Sequence, residues 1–349
     1  MKLTSIEERE YDRYLATFEF EQYIRGKTFL LTGCKGIVGS GIIKWLLLKN
    51  QRDNSEVSII ASTRTPEEIP SYIEEGDNIS FCKFGDEKNY CKDKKIDYII
   101  HAASPTGNTF HASNPVESLR VIIDETEKIL EIACKNKGCS LIYLSSEEVY
   151  GLPKDETPID ETYVGAIDSL TVRSCYPLGK KVAELLCYNY SIEYNVDAKI
   201  IRPTVIHGLL QKYTEQRVVN EILRCVVENK NFVMKSSGLT KKCLMFSLDA
   251  ISAIFTVLFK GEKGQAYNAS NPNTFLTVKD LANHVFSKFN PNICIEFANT
   301  DISVSEGYLP KRTLLQKIDK LENLGWYPMT ELDRIYSIDI ERFSKKSGE

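Results

Sequence analysis

The sequence has few histidines and no paired cysteines, and both absences argue against a metal site. It contains four histidines and ten cysteines, but no two cysteines form a C-x-x-C pair, and no histidine lies at helical ligand spacing from another. Zinc sites are built from such pairs, so no metal is predicted. Scattered single cysteines without a secretory leader are typical of a reducing compartment, and a cytoplasmic protein is expected.

Long apolar runs and an excess of positive charge are also missing. The most apolar stretch, residues 250–259, is shorter than the roughly 18 residues that a membrane-spanning helix needs, so it is predicted to be a core helix. The net charge of −4 provides no basic field for nucleic acid or an anionic membrane. With 349 residues, of which 42% are hydrophobic, the chain can bury a large core. An ordinary enzyme is expected, with neither nucleic acid nor a membrane as a partner.

Apolar strands alternate with helical segments through the first part of the chain. Six strands are predicted, at residues 28–31, 57–61, 79–84, 97–103, 141–144 and 198–201. This alternation predicts an α/β fold with a doubly wound parallel sheet of the Rossmann type and a smaller mixed α/β lobe. The expected units are an N-terminal helical appendage at 1–25, an NAD(P)-binding Rossmann domain at 26–202, a substrate-binding lobe at 203–343, from which some segments can return to the sheet, and a flexible tail at 344–349.

A glycine turn follows the first predicted strand and leads into a helix. Glycines at this point permit a tight turn, let the backbone approach a pyrophosphate, and allow the helix to pack closely on the strand. The N-terminus of the helix then faces the anion. The turn therefore predicts a dinucleotide site whose first contacts are Gly33, Lys35, Gly36, Ile37, Val38 and Gly39.

The end of the second strand leaves the choice of cofactor open. The strand ends in Ala61-Ser62-Thr63-Arg64, without the acidic residue that usually holds the ribose hydroxyls of NAD. Arg64 is able to bind the 2′-phosphate of NADP, to stack on the adenine of NAD, or to remain in solvent. Asp86 is placed to accept a hydrogen bond from the adenine amino group, although Asp after Gly is also common in turns. NAD is the predicted cofactor, and NADP stays open.

A hydroxyl, a phenol and an amine follow the fifth and precede the sixth predicted strand. Tyr176 and Lys180 are four residues apart, so they share one face of a helix. Together with Ser146 they can remove a proton from an alcohol while a hydride leaves the same carbon. The ammonium group and an oxidised nicotinamide both favour the phenolate, and a tyrosine whose pKa falls toward neutrality serves as a base. Glu147 and Glu148, directly after the serine, suggest a further step, because oxidation alone needs no extra carboxylate.

Six segments together carry a recognisable pattern. They are residues 32–39, 101–103, 144–151, 176–180, 202–203 and 324–328. In this order they resemble the extended short-chain dehydrogenase/reductases that modify nucleotide sugars. The resemblance implies that Ser146 is the catalytic hydroxyl, Tyr176 the base and Lys180 its partner. It also implies a tightly held NAD(P) that oxidises the sugar at C4, and a homodimer formed through two helices.

The two glutamates decide which branch of this family the chain resembles most. In the 4,6-dehydratases the corresponding positions hold an acid and a glutamate base. Residues 173–176 and 114–117 are similar to the UDP-glucuronate decarboxylases. The resemblance therefore implies oxidation at C4 followed by elimination at C5 and C6, with Glu148 as the base and Glu147 as the acid. A turn cap or a local salt bridge is the alternative role for each glutamate. A C4 epimerase, an NADPH-dependent keto-sugar reductase and a non-catalytic dinucleotide-binding module are the alternative functions.

The resemblance also assigns contacts with the cofactor and the substrate. Further cofactor contacts are predicted at Arg64, Asp86, Ala102, Ala103, Ser104, Tyr176, Lys180 and Arg202. Substrate contacts are predicted at Thr106, Ser146, Arg173, Val205, Arg217 and Lys242. Val205 stands where the family usually has an asparagine facing the diphosphate, and Lys242 stands where the decarboxylases have an arginine. For Arg217 and Lys242, simple surface solvation is the alternative.

Overall fold

The computed structural model describes residues 1–105, 107–298 and 312–344, apart from the side chain of Asn108. Helices in the described residues are α1 (Ser5–Thr17), α2 (Glu21–Ile24), α3 (Ile37–Asp53), α4 (Glu87–Tyr90), α5 (Asn108–Ser113), α6 (Pro115–Lys135), α7 (Cys175–Glu193), α8 (Val218–Glu228), α9 (Ser247–Lys260), α10 (Val278–Phe289), α11 (Asp319–Glu322) and α12 (Leu332–Ser344). Among them, no helix is both long and apolar enough to cross a bilayer.

Strands and short 3₁₀ turns complete the described elements. The strands are β1 (Thr28–Thr32), β2 (Ser58–Thr63), β3 (Ile79–Lys83), β4 (Tyr98–His101), β5 (Ser140–Leu144), β6 (Asp197–Pro203), β7 (Val205–His207), β8 (Phe232–Met234), β9 (Lys241–Lys242), β10 (Leu244–Phe246), β11 (Ala266–Ala269), β12 (Leu276–Thr277) and β13 (Ile295–Phe297). The 3₁₀ turns are Glu147–Tyr150, Val172–Ser174 and Pro272–Thr274.

The main sheet has seven strands in the order β11-β6-β5-β4-β1-β2-β3. Every neighbouring pair is parallel, which confirms the predicted doubly wound α/β fold. The chain runs from β1 outward through β2 and β3, then returns to β4 on the other side of β1. In such sheets ligands bind at this reversal, outside the carboxyl ends of the strands. Thr32 and His101 pair at those ends of β1 and β4.

Two apolar clusters cover the two faces of the sheet. Successive side chains of a strand point to opposite faces, and Leu30 and Leu31 of β1 are both buried, one in each cluster. Helices α3 and α9 pack on one face, and α6 and α7 pack on the other. Burial on both faces explains why the strands are continuously apolar rather than alternating.

The N-terminal helix is anchored to the Rossmann core. A capping box begins α1, in which the Glu7 amide donates to Thr4 Oγ1 over 3.3 Å and the Thr4 amide donates to Glu7 Oε2 over 2.9 Å. Further along the helix, the Tyr11 hydroxyl donates to the Gly41 carbonyl over 3.0 Å, and the Tyr14 hydroxyl donates to Asp249 over 2.6 Å. Both tyrosines are fully buried, so α1 contributes to the core of the fold.

Three two-stranded sheets lie in the part of the chain after β6. They pair β7 with β10, β9 with β12, and β8 with β13. Strand β11, which lies within residues 203–343, returns to the edge of the main sheet beside β6. Part of the segment assigned to the lobe therefore belongs to the Rossmann sheet. The predicted tail lies outside the described residues, except for Ser344.

Candidate active site

The glycine turn after β1 has no room for side chains at two of its positions. Gly33 has a φ of +74°, and a Cβ atom added there would lie 2.8 Å from the backbone carbonyl carbon of Ala102. A Cβ atom at Gly39 would lie 2.3 Å from the Gly33 carbonyl oxygen. No side chain caps α3, because Gly36 occupies the N-cap position. The first amides of the helix are thus available to an anion, which fits a dinucleotide pyrophosphate.

The predicted adenosine contacts lie around the ends of β2 and β3. Lys35 connects the glycine turn to the loop after β2, since its Nζ donates to the Thr65 carbonyl over 3.0 Å and to Glu68 over 2.9 Å. Arg64 is exposed in the same loop. Asp86 precedes α4 and accepts a hydrogen bond from the side chain of Asn89 over 2.7 Å. These positions suit adenosine, and their contact with it stays a prediction.

The carboxylate of Glu87, which was not predicted as part of the site, lies near the end of β2. Glu87, on α4, is buried and accepts hydrogen bonds from the Ser62 hydroxyl and from the Gly85 amide. Burial raises the pKa of this carboxyl. A buried carboxylate on α4 is therefore bonded to Ser62 near the end of β2, and it makes this bond only because the fold brings α4 next to the strand.

Arg202 has protein partners at each of its guanidinium nitrogens. Its Nε and one terminal nitrogen donate to Glu184 over 2.9 and 2.6 Å, while the other terminal nitrogen donates to the Tyr150 hydroxyl and the Glu161 carbonyl, each over 2.9 Å. This network gives the residue a structural role, tying β6 to α7 and to the turn after β5. Contact between Arg202 and the cofactor stays a prediction.

Ser146, Tyr176 and Lys180 lie close together near the carboxyl end of β5. Ser146 follows β5 and Ser145 and caps a 3₁₀ turn, with its Oγ accepting from the Glu148 amide over 3.2 Å. Tyr176 lies in the first turn of α7, near the Ser146 side chain. One turn later, Lys180 Nζ lies 5.9 Å from the centre of the Tyr176 ring and donates to the Leu144 carbonyl over 2.6 Å. The Ser-Tyr-Lys arrangement predicted from spacing is present.

Burial sets the proton affinities of these groups in the protein alone. Desolvation, with the nearby charge of Glu148, raises the pKa of Tyr176 to about 12. Desolvation lowers the pKa of Lys180 to about 7. The pKa of Tyr176 was expected to fall, and the difference arises because burial disfavours a phenolate more than the positive charge of Arg173 favours it. An oxidised nicotinamide, when bound, supplies such a charge and accepts the hydride.

Glu148 faces Arg173 across the entrance to this site. One guanidinium nitrogen lies 2.9 Å from each carboxylate oxygen. The two side chains are only 17% and 14% exposed, so the pair is shielded from water and interacts more strongly than a surface pair. The guanidinium carbon lies 5.2 Å from the centre of the Tyr176 ring. The predicted base and a predicted substrate contact are thus partners in one ion pair beside the phenol.

Glu147 points in a different direction from Glu148. Its carboxylate is buried, with Oε1 3.9 Å from Lys242 Nζ and with no hydrogen-bond partner for Oε2 among the described residues. Its backbone carbonyl accepts from the buried guanidinium of Arg312 over 2.7 Å. Three cations, Arg173, Lys242 and Arg312, therefore surround the two glutamates. Arg312 was not predicted from the sequence, in which it is marked only by its positive charge and by its position shortly before residues 324–328.

His111 is a further residue near Tyr176 that was not predicted from the sequence. It lies on α5, and its ring centre is 4.7 Å from that of Tyr176. Nδ1 hydrogen-bonds to Ser118 Oγ over 2.6 Å, whereas Nε2 is buried and has no partner among the described residues. Desolvation, with the positive charge of Arg173, lowers the pKa of His111 to about 4. The ring is therefore neutral at pH 7.

The remaining residues predicted to contact the substrate make no described contact with Tyr176 or with the two glutamates. Val205 begins β7 and pairs with Leu244 of β10. Arg217 precedes α8, and its guanidinium donates to Glu215 over 2.6 Å. Thr106 lies outside the described residues. Their contact with a substrate stays a prediction.

The fold and site together define a class. A parallel doubly wound sheet, a glycine turn at the N-terminus of α3, and a Ser-Tyr-Lys group at the same edge are typical of a dinucleotide-binding enzyme. Among the described residues, no cluster of three or more potential metal ligands is present.

A family model confirms this class and specifies it. The chain belongs to the NAD dependent epimerase/dehydratase family, whose model matches residues 29–270. The match includes the glycine turn, the Ser-Tyr-Lys group and both glutamates. The protein is therefore an NAD-dependent enzyme of this nucleotide-sugar-modifying family.

Curated relatives are similar to the chain at low identity. UDP-glucuronic acid decarboxylase 5 of Arabidopsis thaliana is 27% identical over 254 residues, covering 73% of this chain and 72% of the relative. UDP-glucuronic acid decarboxylase 1 of Danio rerio is 26% identical over 326 residues, covering 92% of this chain and 73% of the relative. Identity at this level supports the family and leaves the reaction undetermined.

Solved structures of several activities share the fold. The NAD complex of dTDP-glucose 4,6-dehydratase from Bacillus anthracis has a TM-score of 0.74 at 19% identity, covering 92% of this chain and 98% of that one. UDP-glucose 4-epimerase from Thermotoga maritima has a TM-score of 0.75 at 17% identity, covering 92% and 100%. Because a dehydratase and an epimerase superpose about equally well, the fold does not discriminate between reactions.

Proposed function

We propose that this enzyme oxidises the sugar of a nucleotide sugar at C4 with bound NAD and then eliminates a group at C5 or C6. The observation that carries the proposal is the position of Glu148, which lies in the 3₁₀ turn capped by Ser146 and acts electrostatically on Tyr176. An enzyme that only moved a hydride would need no carboxylate at this point. The cofactor residues are proposed to be those of the glycine turn and of the loops after β2, β3 and β4.

The first step uses the Ser-Tyr-Lys group. Ser146 orients the C4 hydroxyl toward Tyr176, which lies near it. Tyr176 takes the hydroxyl proton as the hydride leaves C4 for the nicotinamide. Lys180 lies behind the ring and stabilises the phenolate when protonated. The result is a 4-keto sugar, held where Glu148 can reach the neighbouring carbons.

The second step requires Glu148 to become free of Arg173. A ketone at C4 makes the C5 proton acidic, and it makes a C6 carboxylate a good leaving group. An incoming anionic group that binds Arg173 would compete with Glu148 for the guanidinium and release the carboxylate to act as a base.

Loss of water and loss of carbon dioxide are the two forms of the elimination. Glu147, whose buried Oε2 has no partner in the described part of the chain, is suited to protonate a departing C6 hydroxyl. Arg173, Lys242 and Arg312 form a positive environment that suits a C6 carboxylate. The similarity to UDP-glucuronic acid decarboxylases supports the second form. Both forms share the C4 oxidation and use Glu148 at C5. In loss of water Glu148 removes the C5 proton, and in loss of carbon dioxide the C5–C6 bond breaks and Glu148 relays a proton to C5.

A panel of nucleotide sugars with mass analysis tests the proposal. UDP-, dTDP-, CDP- and GDP-sugars, including a UDP-hexuronate, are incubated with the enzyme and NAD. Loss of water or of carbon dioxide supports the proposal and identifies the form of elimination. An unchanged mass with inverted C4 configuration, or a gain of two hydrogens, would contradict it.

A C4 epimerase or an NADPH-dependent keto-sugar reductase is the second candidate. Two observations favour it: Arg64 is exposed at the end of β2, where NADP enzymes hold the 2′-phosphate, and Val205 replaces an expected asparagine. The cofactor released on denaturation separates the cases. NAD supports elimination or epimerisation, whereas empty protein that consumes NADPH supports reduction.

We also propose a homodimer formed through α6 and α7. Apolar side chains remain exposed on these helices, including Val116 at 64%, Leu185 at 56% and Ile192 at 68%. Continuous exposed apolar surface of this kind is typical of an interface. Sedimentation at micromolar concentration tests the assembly. A cytoplasmic location is proposed on the unpaired cysteines alone.

A further inference from the structure

His111 has one imidazole nitrogen that the fold satisfies and one that it does not. The ring is 1% exposed, Nδ1 is bonded to the fully buried hydroxyl of Ser118 over 2.6 Å, and Nε2 has no partner among the described residues. A buried polar nitrogen without a partner costs free energy. An apolar ring of the same size would avoid this cost, so the nitrogen indicates a partner beyond the described residues.

The surroundings of the ring place that missing partner in the active site. The His111 ring contacts the Tyr176 ring at 4.7 Å. The charges of Arg173, Glu148 and Lys180 all act on the imidazole. Cys175, the residue before Tyr176, has its Sγ 3.8 Å from the His111 carbonyl oxygen. His111 therefore contacts the start of α7 through both its ring and its backbone carbonyl, beside the phenol that is proposed to act on the C4 hydroxyl.

We propose that His111 Nε2 hydrogen-bonds to a hydroxyl group of the sugar ring next to C4, and so positions the sugar against Tyr176. This inference rests on the proposed function. A neutral imidazole presents either a donor or an acceptor at Nε2, depending on its tautomer. A hydroxyl group serves as acceptor or donor in turn, so a sugar hydroxyl complements both tautomers. The bond to Ser118 holds the ring plane fixed, which makes His111 a positioning and specificity residue.

Binding measurements in an inactive background test this role without turnover. The Tyr176→Phe variant, loaded with NAD, is titrated calorimetrically with the substrate found in the panel and compared with Tyr176→Phe/His111→Phe. One neutral hydrogen bond corresponds to about a threefold to tenfold weaker affinity when it is lost. His111→Gln, whose side-chain amide reaches the Nε2 position, is expected to recover part of this loss.

Deoxy analogues identify the hydroxyl and exclude an indirect effect. For the analogue that lacks the contacted hydroxyl, the His111→Phe change is expected to have no effect on affinity, while for analogues deoxygenated elsewhere it keeps its full effect. His284→Phe is the matched control, because that histidine is exposed and bonded to Asp333 over 2.6 Å. It is expected to leave every affinity unchanged.

Three results separate failure of this inference from failure of the proposed function. Equal affinities for the His111→Phe and parent proteins would overturn the role of His111 and leave the proposed function intact. A loss that is the same for the substrate and for every deoxy analogue would also overturn it, because it would indicate a packing effect. If no nucleotide sugar binds Tyr176→Phe or is converted by the unaltered enzyme, both proposals fail.

Discussion

Replacing Glu148 by glutamine should separate the oxidation at C4 from the step that follows it. Glutamine keeps the size of the side chain and an acceptor for Arg173, but it does not accept a proton. General base catalysis typically contributes about 10²- to 10⁴-fold to a rate, which corresponds to about 3 to 5 kcal/mol of barrier. The elimination rate is expected to fall by this factor. The rate of C4 oxidation, which depends on Ser146 and Tyr176, should change little.

The same change has a predictable effect on stability. The Glu148 and Arg173 side chains are 17% and 14% exposed, so the loss of one charge leaves a guanidinium that is only partly hydrated. The free energy of unfolding is expected to fall by about 1 to 3 kcal/mol. Glu7→Gln is a matched control, since Glu7 pairs with Lys44 and the two side chains are 9% and 11% exposed. It should destabilise the fold similarly and leave the reaction unchanged.

Single-turnover mixing of the NAD-loaded enzyme with its substrate measures both steps. Absorbance of the reduced nicotinamide follows oxidation, and mass analysis of quenched samples follows elimination. In the Glu148→Gln variant, reduced cofactor should accumulate with the 4-keto sugar and then return its hydride. Elimination at the normal rate in this variant would refute the role of Glu148 and, with it, the main argument for elimination chemistry.

Four further predictions follow from individual contacts. Gly39→Ala should abolish retention of NAD and destabilise the fold by about 1 to 3 kcal/mol, because its Cβ would lie 2.3 Å from the Gly33 carbonyl oxygen; cofactor content and urea unfolding measure this, and normal NAD content would contradict it. Tyr14→Phe should cost about 1 to 3 kcal/mol in urea unfolding by removing a donor from buried Asp249, whereas an unchanged midpoint would show that α1 is anchored otherwise. Lys180→Met should be inactive yet more stable than the unaltered enzyme at pH 6. Burial lowers the folded-state pKa of Lys180 to about 7, so at pH 6 the folded protein holds a buried charge, and each pKa unit below the unfolded value costs about 1.4 kcal/mol of stability. The stability gain of the variant should shrink between pH 7 and pH 10, and a gain that is constant with pH would contradict this explanation. Leu185→Glu should produce a monomer in sedimentation if α6 and α7 form the interface, and a persistent dimer would assign the interface elsewhere.

The Ser-Tyr-Lys group is the part of the site that was predictable from sequence. Tyr176 and Lys180 are one helical turn apart, so helical periodicity places them on one face of α7, and Ser146 follows a buried strand. The glycine turn was equally predictable, because its function depends on a short segment between one strand and one helix. The combination of Ser146 with Tyr176 joins two separate segments, and it was expected from the family resemblance rather than from local spacing.

The partners of the charged residues could not be predicted in the same way. Glu148 and Arg173 are separated by a long excursion of the chain, and they meet only because α7 packs against the turn after β5. Arg202 was predicted to contact the cofactor. Its hydrogen bonds to Glu184 and Tyr150 were not predicted, and they form because of its position on β6. Burial obliges a charge to find partners, and which partners are within reach depends on the order of strands in the sheet.

By itself, the sequence indicated the doubly wound fold through its alternating strands and helices, the dinucleotide turn through the spacing of its glycines, and two glutamates after Ser146, while the Ser-Tyr-Lys group was implied by the family resemblance. Only the tertiary structure decided that Glu148 pairs with Arg173, that Arg312 bonds to the Glu147 carbonyl, and that the His111 ring lies against Tyr176 with an Nε2 that has no partner among the described residues. The physical reason is that these contacts join segments far apart in the chain. They exist only after the parallel strands have brought their carboxyl ends to one edge.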